Sequence, residues 1–278
     1  MKNLIIRTVT GALFVAALIG AILYGEHAFG ILFLLITILS VREFSSLIKQ
    51  YKGVTFSTLL SVCGGAYLFA ALYMTTHYHY VDTLQIFAPY MAIVLFAFIR
   101  QLYDTKSKPL DNFAYFVLTQ VYAALPFALL NILSTVGATK PETYNFVLPL
   151  SIFIFIWSND TGAYCFGCML GRHKMFERIS PKKTWEGFIG GALVAMGVGA
   201  LLSCYFDILL MWQWIAMGAV VVVSGTLGDL IESSMKREME IKDSGKMLPG
   251  HGGVLDRFDS TLFAIPAVLI YLSFIGIL

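Results

Sequence analysis

Apolar runs bounded by charged or turn-forming residues recur near positions 8–24, 28–44, 54–76, 83–103, 112–134, 144–158, 187–205, 208–230 and 260–277. A helix needs roughly 17–25 mostly apolar residues to cross a bilayer, so the pattern predicts an all-α, polytopic integral membrane protein. About nine transmembrane helices would make up a single transmembrane domain over 1–278. The second and sixth runs are short, and the second must extend into the interface, where Arg42 can snorkel. Two polar stretches, 159–186 and 231–259, are too rich in charge and glycine to be passive connectors, and are predicted as large loops. The seventh run carries Gly187, Gly191, Ala195, Gly199 and Ser203 at four-residue spacing. Small residues on one helix face let another backbone approach closely, so this face predicts a packing seam, either inside the subunit or between two copies as a homodimer.

Composition strengthens the membrane reading. Hydrophobic residues make up 58% of the chain and charged residues 13%, with a mean hydropathy of +0.77, whereas a soluble domain carries roughly a quarter charged residues. The net charge of +2 says little by itself. What matters is that, with nine spans and a cytoplasmic N-terminus, every Lys and Arg except Lys140 falls on the cytoplasmic side, together with both large loops. No nucleic-acid partner is expected. Ionisable residues are absent at mid-depth, where only Gln120, Asn131 and Gln213 are polar, and this argues against a transporter or channel.

Cys165 and Cys168 form a C-x-x-C without a second pair, so ordinary packing is favoured over zinc or redox use. His77 and His79 are read as interfacial side chains without a special role, because i and i+2 do not share a helix face. The first 25 residues lack a clean cleavage site and are read as a retained span.

The candidate chemistry lies in the polar island from Leu227 to Ser260. If the eighth helix continues past Leu230, Asp229, Ser233 and Arg237 follow at four-residue steps, with Glu232 and Lys236 on the same side. Lys242, Asp243 and Lys246 come next, then Pro249, Gly250, His251, Gly252 and Gly253, a run that cannot be regular helix and offers backbone N–H groups to an anion. Asp256, Arg257 and Asp259 open the last span. Carboxylates interspersed with cations beside a glycine turn suit a magnesium-nucleotide, because magnesium takes one or two carboxylates plus substrate phosphates while Lys and Arg neutralise the rest. Transfer of a nucleotidyl group then rests on positioning and charge stabilisation.

Structural roles compete with these chemical ones. Asp259 followed by Ser260 serves equally well as a helix cap. Lys236, Arg237, Arg172 and Lys174 serve equally well as anchors at the lipid headgroups. Asp229 sits where burial is costly without a cation, which favours a metal.

The run Ser234-Met-Lys236-Arg237, then Lys242-Asp243-Ser-Gly245, then Pro249-Gly-His251-Gly252-Gly253-Val-Leu-Asp256-Arg257-Phe-Asp259, resembles the signature of the phosphatidate cytidylyltransferases, also called CDP-diacylglycerol synthases. Gly228-Asp229-Leu230, Glu232-Ser233, Ser180-Pro181-Lys182-Lys183-Thr184-Trp185-Glu186-Gly187 and Asn159-Asp160-Thr-Gly-Ala163-Tyr164 are similar to that family too. The resemblance covers 144–278, implying a catalytic C-terminal half and a mainly scaffolding half over 1–143. It implies transfer of CMP from CTP to phosphatidate, giving CDP-diacylglycerol and pyrophosphate for phospholipid synthesis.

Magnesium and a monovalent cation such as K+ are the implied cofactors, with Asp229 and Asp256 as metal ligands meeting at the cytoplasmic face of the bilayer. Lys182, Lys183, Lys236, Arg237, Lys242 and Arg257 would hold the triphosphate and the lipid headgroup. Ser180, Asn159, Asp160, Glu232, Ser233, Asp243, Gly252, Gly253 and Asp259 would complete the site, and His251 would orient a phosphate or Asp256 rather than move a proton. The short chain without an N-terminal extension leads to an expected place in a bacterial-type inner membrane. A CTP-using enzyme of polyprenol or dolichol phosphate metabolism and a non-catalytic lipid-binding scaffold are the remaining alternatives.

Overall fold

A computed structural model describes residues 2–78, 82–103, 108–137, 143–245, 247 and 252–278. The chain divides into two compact units, one formed by Met1–Phe146 with Asp243–Phe258, the other by Val147–Lys242 with Asp259–Leu278. The polar island is therefore split, its second half grouping with the N-terminal helices.

The first unit contains α1 (Lys2–Tyr24), α2 (Glu26–Lys52), α3 (Thr58–His77), α4 (Thr83–Gln101), α5 (Pro109–Thr119) and α6 (Leu125–Leu133). Gln120–Ala124 form a π-helical turn that joins α5 to α6, so that Pro109–Leu133 reads as one continuous span. Helix starts follow local chemistry: Ser57 caps α3 by accepting the Leu60 N–H, and Asp82 caps α4 by accepting those of Leu84 and Gln85. Phe29, Phe33, Phe44, Phe116 and Phe127 fill the core.

The deep polar residues of this unit serve its own backbone. Gln120 Nε2 donates to Ser61 O at 2.9 Å, and Asn131 Nδ2 to Ala128 O at 3.0 Å. Gly64 and Gly65 make room for this, since a Cβ on either would lie 3.0 Å or less from Gln120, Val41 or Ala124. His77 is a core residue and not the interfacial side chain expected from the sequence. It is 4% exposed, with Nε2 3.2 Å from Ser134 Oγ and Nδ1 3.6 Å from Glu26 Oε2, because its ring packs against Tyr73 in the core rather than facing the interface. His79 lies outside the described residues.

The second unit contains α7 (Val147–Leu170), a two-stranded antiparallel hairpin of β1 (Lys174–Phe176) and β2 (Ser180–Thr184), α8 (Trp185–Leu202) and α9 (Met211–Glu238), and most of α10 (Leu255–Phe274). The protein is thus nearly, not wholly, helical. The stretch 159–186 is only partly a loop: α7 continues to Leu170, and the hairpin follows. The reason is that Gly162 and Gly167 act as close-packing positions inside the helix instead of breaking it. A Cβ on Gly162 would stand 3.0 Å from Gly191 Cα, and one on Gly167 3.4 Å from Thr184 Oγ1.

The small-residue face of α8 packs inside this unit. Gly187 and Gly191 meet Ala163 and Asn159 of α7, while Ala195 and Gly199 meet Gly218 and Trp214 of α9. Gly187, Gly191, Ala195 and Gly199 are buried, so at these positions the face packs against the chain's own helices. At the far end Trp214, fully buried, donates its indole N–H to Phe206 O at 3.2 Å, and Gln213 accepts the Leu210 N–H at 2.8 Å.

Among the described residues, seven helices are long and apolar enough to cross a membrane: α2, α3, α4, the α5–α6 span, α8, α9 and α10. Thr8–Tyr24 is a shorter apolar helix. The chain is a multi-pass membrane protein.

Candidate active site

The second unit holds a cavity of about 230 Å³ built from five elements of the chain. α7 contributes Asn159, Asp160, Ala163 and Tyr164; the hairpin contributes Met175, Lys182, Lys183 and Thr184; α8 contributes Gly187 and Phe188; α9 and α10 contribute Thr226, Asp229 and Ser260. Asn159, Asp160, Lys182, Lys183 and Asp229, all singled out from the sequence, are therefore brought to one place. Met175, Phe188 and Thr226 carry no charge or motif signal in the sequence and join them only through the fold, as does Ser260, which the sequence marks only beside Asp259 as part of a helix cap.

The electrostatic centre is the pair Lys183 and Asp229. Lys183 Nζ lies 2.7 Å from Asp229 Oδ2, and Ser233, one turn along α9, donates its Oγ to Asp229 Oδ1 at 3.1 Å. Both oxygens of Asp229 are thereby oriented. Asp160 and Asp259 stand near enough for their charges to oppose that of Asp229, with Lys183 relieving both and Lys236 also relieving Asp259. Farther along α9, Lys236 pairs with buried Glu232 at 3.2 Å. Arg237 is exposed, as is Lys242 after the helix.

Local folding aims these groups. Gly228 next to Asp229 admits α10, since a Cβ there would lie 2.7 Å from Asp259 O. Thr184 ends β2 and caps α8 by accepting the Gly187 N–H through Oγ1 at 3.2 Å. Glu186 in the first turn of α8 reaches back to the hairpin: it accepts the N–H groups of Arg172 and His173, and its Oε1 lies 2.6 Å from His173 Nδ1. Side chains alternate along a strand, so Lys182 and Lys183 diverge, the first exposed and the second turned to Asp229. Ser180, at the start of β2, is half-buried outside the cavity lining.

In the first unit, Asp256 opens α10 and its Oδ2 accepts the N–H of Ser244 at 2.9 Å and of Gly253 at 2.7 Å. Gly252 adopts φ +83°, and a Cβ there would strike Asp256. Part of the glycine run is thus occupied: the Gly253 N–H, read from the sequence as open to an anion, is held by the protein's own carboxylate. Arg257 and Asp243 are exposed. His251 lies outside the described residues. Glu43 of α2, absent from the sequence reading, accepts the N–H groups of Val254 at 2.9 Å and Leu255 at 3.2 Å. No motif marks it, because it lies 201 residues before Ser244, which it also contacts.

Among the described residues no three His, Cys, Asp or Glu side chains gather closely enough to cage a metal unaided. Magnesium needs only one or two carboxylates and completes its shell with water and phosphate oxygens. All four cysteines are free and exposed.

The sequence pattern of the Cytidylyltransferase family matches residues 5–275. Among curated proteins, the chain is similar to the phosphatidate cytidylyltransferase of Staphylococcus aureus (strain COL), with 40% identity over 186 residues covering 65% of this chain and 68% of that one. It is similar to the proteins of the same name from Staphylococcus haemolyticus (37% over 185 residues) and Staphylococcus saprophyticus (36% over 185 residues), with the same shares covered.

Proposed function

The chain belongs to the cytidylyltransferase family, and we propose that it transfers CMP from CTP to phosphatidate, giving CDP-diacylglycerol and pyrophosphate. The observation that carries this reading is the cavity in which Lys183 meets Asp229 beside Lys182, Asn159 and Asp160. Sites that enclose a whole small-molecule ligand measure roughly 300–1,000 Å³. A cavity of about 230 Å³ therefore suits the phosphate end of a nucleotide or the headgroup of a lipid better than either entire molecule.

The chemistry asks little covalent work of the protein. The phosphate of phosphatidate has a second pKa of about 6 like other monoesters and is largely dianionic near neutral pH. One of its oxygens forms a bond to the α-phosphorus of CTP as the bond from that phosphorus to the bridging oxygen breaks and pyrophosphate leaves. No proton need pass to a side chain. Lys182 and Lys183 counter phosphate charge, and Arg237, Lys242 and Arg257, all exposed, are available to the rest of the triphosphate or to the headgroup. Ser233 and Lys183 hold the Asp229 carboxylate in one orientation.

Asp229 and Asp256 are proposed as the protein ligands of magnesium, on the family resemblance and on the fixed orientation of each carboxylate in its own unit. Bound magnesium would supply charge neutralisation on the triphosphate. Potassium is proposed beside it on the resemblance alone. We likewise propose nine spans with a cytoplasmic N-terminus in a bacterial inner membrane, supported by the one-sided distribution of Lys and Arg.

The test is CTP-dependent turnover by purified protein in detergent, with phosphatidate and a polyprenyl phosphate as rival acceptors, for wild type, Asp229→Asn and Asp256→Asn across magnesium concentrations. Phosphatidate turnover that falls at least a hundredfold in each variant is expected. Turnover of the polyprenyl phosphate alone would overturn the substrate, and near-normal rates in both variants would overturn the metal ligands.

A further inference from the structure

Glu43 stands out among the described carboxylates because one side chain of α2 gathers both ends of the motif segment. Its Oε1 accepts the Ser244 hydroxyl and the Leu255 N–H, and its Oε2 accepts the Val254 N–H. Ser244 in turn donates its backbone N–H to Asp256 Oδ2, which also takes the Gly253 N–H. Two carboxylates thus face each other across a short strip of backbone. Glu43 holds that strip from the α2 side, and Asp256 holds it from within.

The strip leaves no slack for this contact. A Cβ on Gly253 would collide with the Glu43 carboxylate and with Ser244 Oγ, and a Cβ on Gly245 would lie 2.8 Å from Glu43 Oε2. Val254 and Leu255 are buried, and their amides lie at the start of α10, where N–H groups have no intrahelical acceptor. A carboxylate there satisfies the orphan donors and the helix dipole together. The site is filled by the protein itself, so these two amides are not available to a substrate phosphate.

We infer that Glu43 is a positioning residue for the transfer reaction: by fastening Ser244 and the first amides of α10, it sets the direction in which Asp256 points. The inference rests on the proposed role of Asp256 as a metal ligand, and partners that orient a ligating carboxylate typically contribute 10–100-fold in metal affinity or activity.

The experiment compares wild type, Glu43→Gln and Glu43→Asp by two independent readouts. The first is hydrogen exchange of the Ser244 and Gly253–Leu255 amides in the full-length protein in detergent. The second is the magnesium dependence of CTP turnover. Glu43→Gln keeps the shape but loses the charge, and is expected to speed exchange at these amides at least tenfold while α5 and α9 are unchanged, and to raise half-saturating magnesium at least tenfold. Glu43→Asp, which restores the charge one methylene short, is expected to recover part of both. Unchanged exchange at these amides, or a turnover loss with unaltered magnesium dependence, overturns the inference. Should wild type show no phosphatidate turnover, the catalytic reading fails by itself and the exchange experiment still decides whether Glu43 fastens the segment.

Discussion

Two glycines of α8, six residues apart, allow the seam with α7 to be weighed by the same chemical change made twice. A Cβ added to Gly191 would sit 2.5 Å from Asn159 Oδ1 and 2.7 Å from Asn159 O, whereas one added to Gly197 meets nothing within 4 Å. The first is about 0.9 Å inside the range where ordinary contact begins, and part of what it strikes is backbone, which cannot swing away. Each Gly→Ala change gains about 1 kcal/mol of helix propensity. At Gly191 that gain is opposed by overpacking, typically about 1–3 kcal/mol. Gly197→Ala should therefore be stabilising by up to about 1 kcal/mol, and Gly191→Ala should fall about 1–3 kcal/mol below it. Unfolding titrations in mixed detergent micelles measure the difference between the two variants, which cancels common errors. Because Asn159 and Lys183 line one cavity from either side of this seam, CTP turnover by Gly191→Ala should drop about 10–100-fold, as expected for sub-ångström misplacement of binding groups. Equal stability and equal turnover in the two variants would refute the reading of the seam as a contact that sets the site.

Other consequences follow from individual contacts. Lys183→Met removes the cation at 2.7 Å from Asp229; turnover should fall about a hundredfold, while half-saturating magnesium decreases because nothing competes for Oδ2, as a magnesium titration of the residual activity will show. Glu186→Gln weakens the tie between α8 and the hairpin, so hydrogen exchange at Arg172 and His173 should accelerate and the KM for CTP should rise, with the melting of α9 unaffected. Gly252→Ala forces a side chain onto φ +83°, a cost of about 1–2 kcal/mol, and also drives a methyl into Asp256; activity should be lost at temperatures where circular dichroism still reports full helicity.

Much of this was legible before any coordinates. A helix stands at each of the nine apolar stretches, because long apolar periodicity is the strongest signal a chain carries. The continuation of α9 to Glu238 follows from Asp229, Ser233 and Arg237 falling at one-turn intervals, and the observed Ser233–Asp229 and Lys236–Glu232 contacts are the i,i+4 pairs that spacing allows. The continuation of α7 was hidden for a physical reason: glycine breaks a helix in water but serves close packing between helices in lipid, and Gly162 and Gly167 look the same in sequence either way. The hairpin escaped for a different reason, since β2 reads Ser-Pro-Lys-Lys-Thr with no apolar alternation, and its pairing is sustained by Glu186 and the backbone around it.

Glu43 was the least legible of all, and its case says what kind of information sequence motifs omit. The residues read as functional lie in stretches where charge and glycine cluster against an apolar background, and such clustering is visible in one dimension. A lone glutamate at the end of an apolar run reads as an ordinary interfacial charge. Its significance comes from three hydrogen bonds to residues more than 200 positions away, and hydrogen bonds to backbone N–H leave no complementary side chain to notice. Four of the five donors that the segment gives to it and to Asp256 are main-chain amides, so substitution of their side chains would leave those donors in place. Sequence clustering therefore finds Asp229 together with the Ser233 and Lys183 side chains that orient it, but misses a group such as Glu43 that works mainly through the backbone. A search for further positioning residues should accordingly start from carboxylates that accept main-chain amides of another segment of the chain, as Glu186 and Glu43 both do.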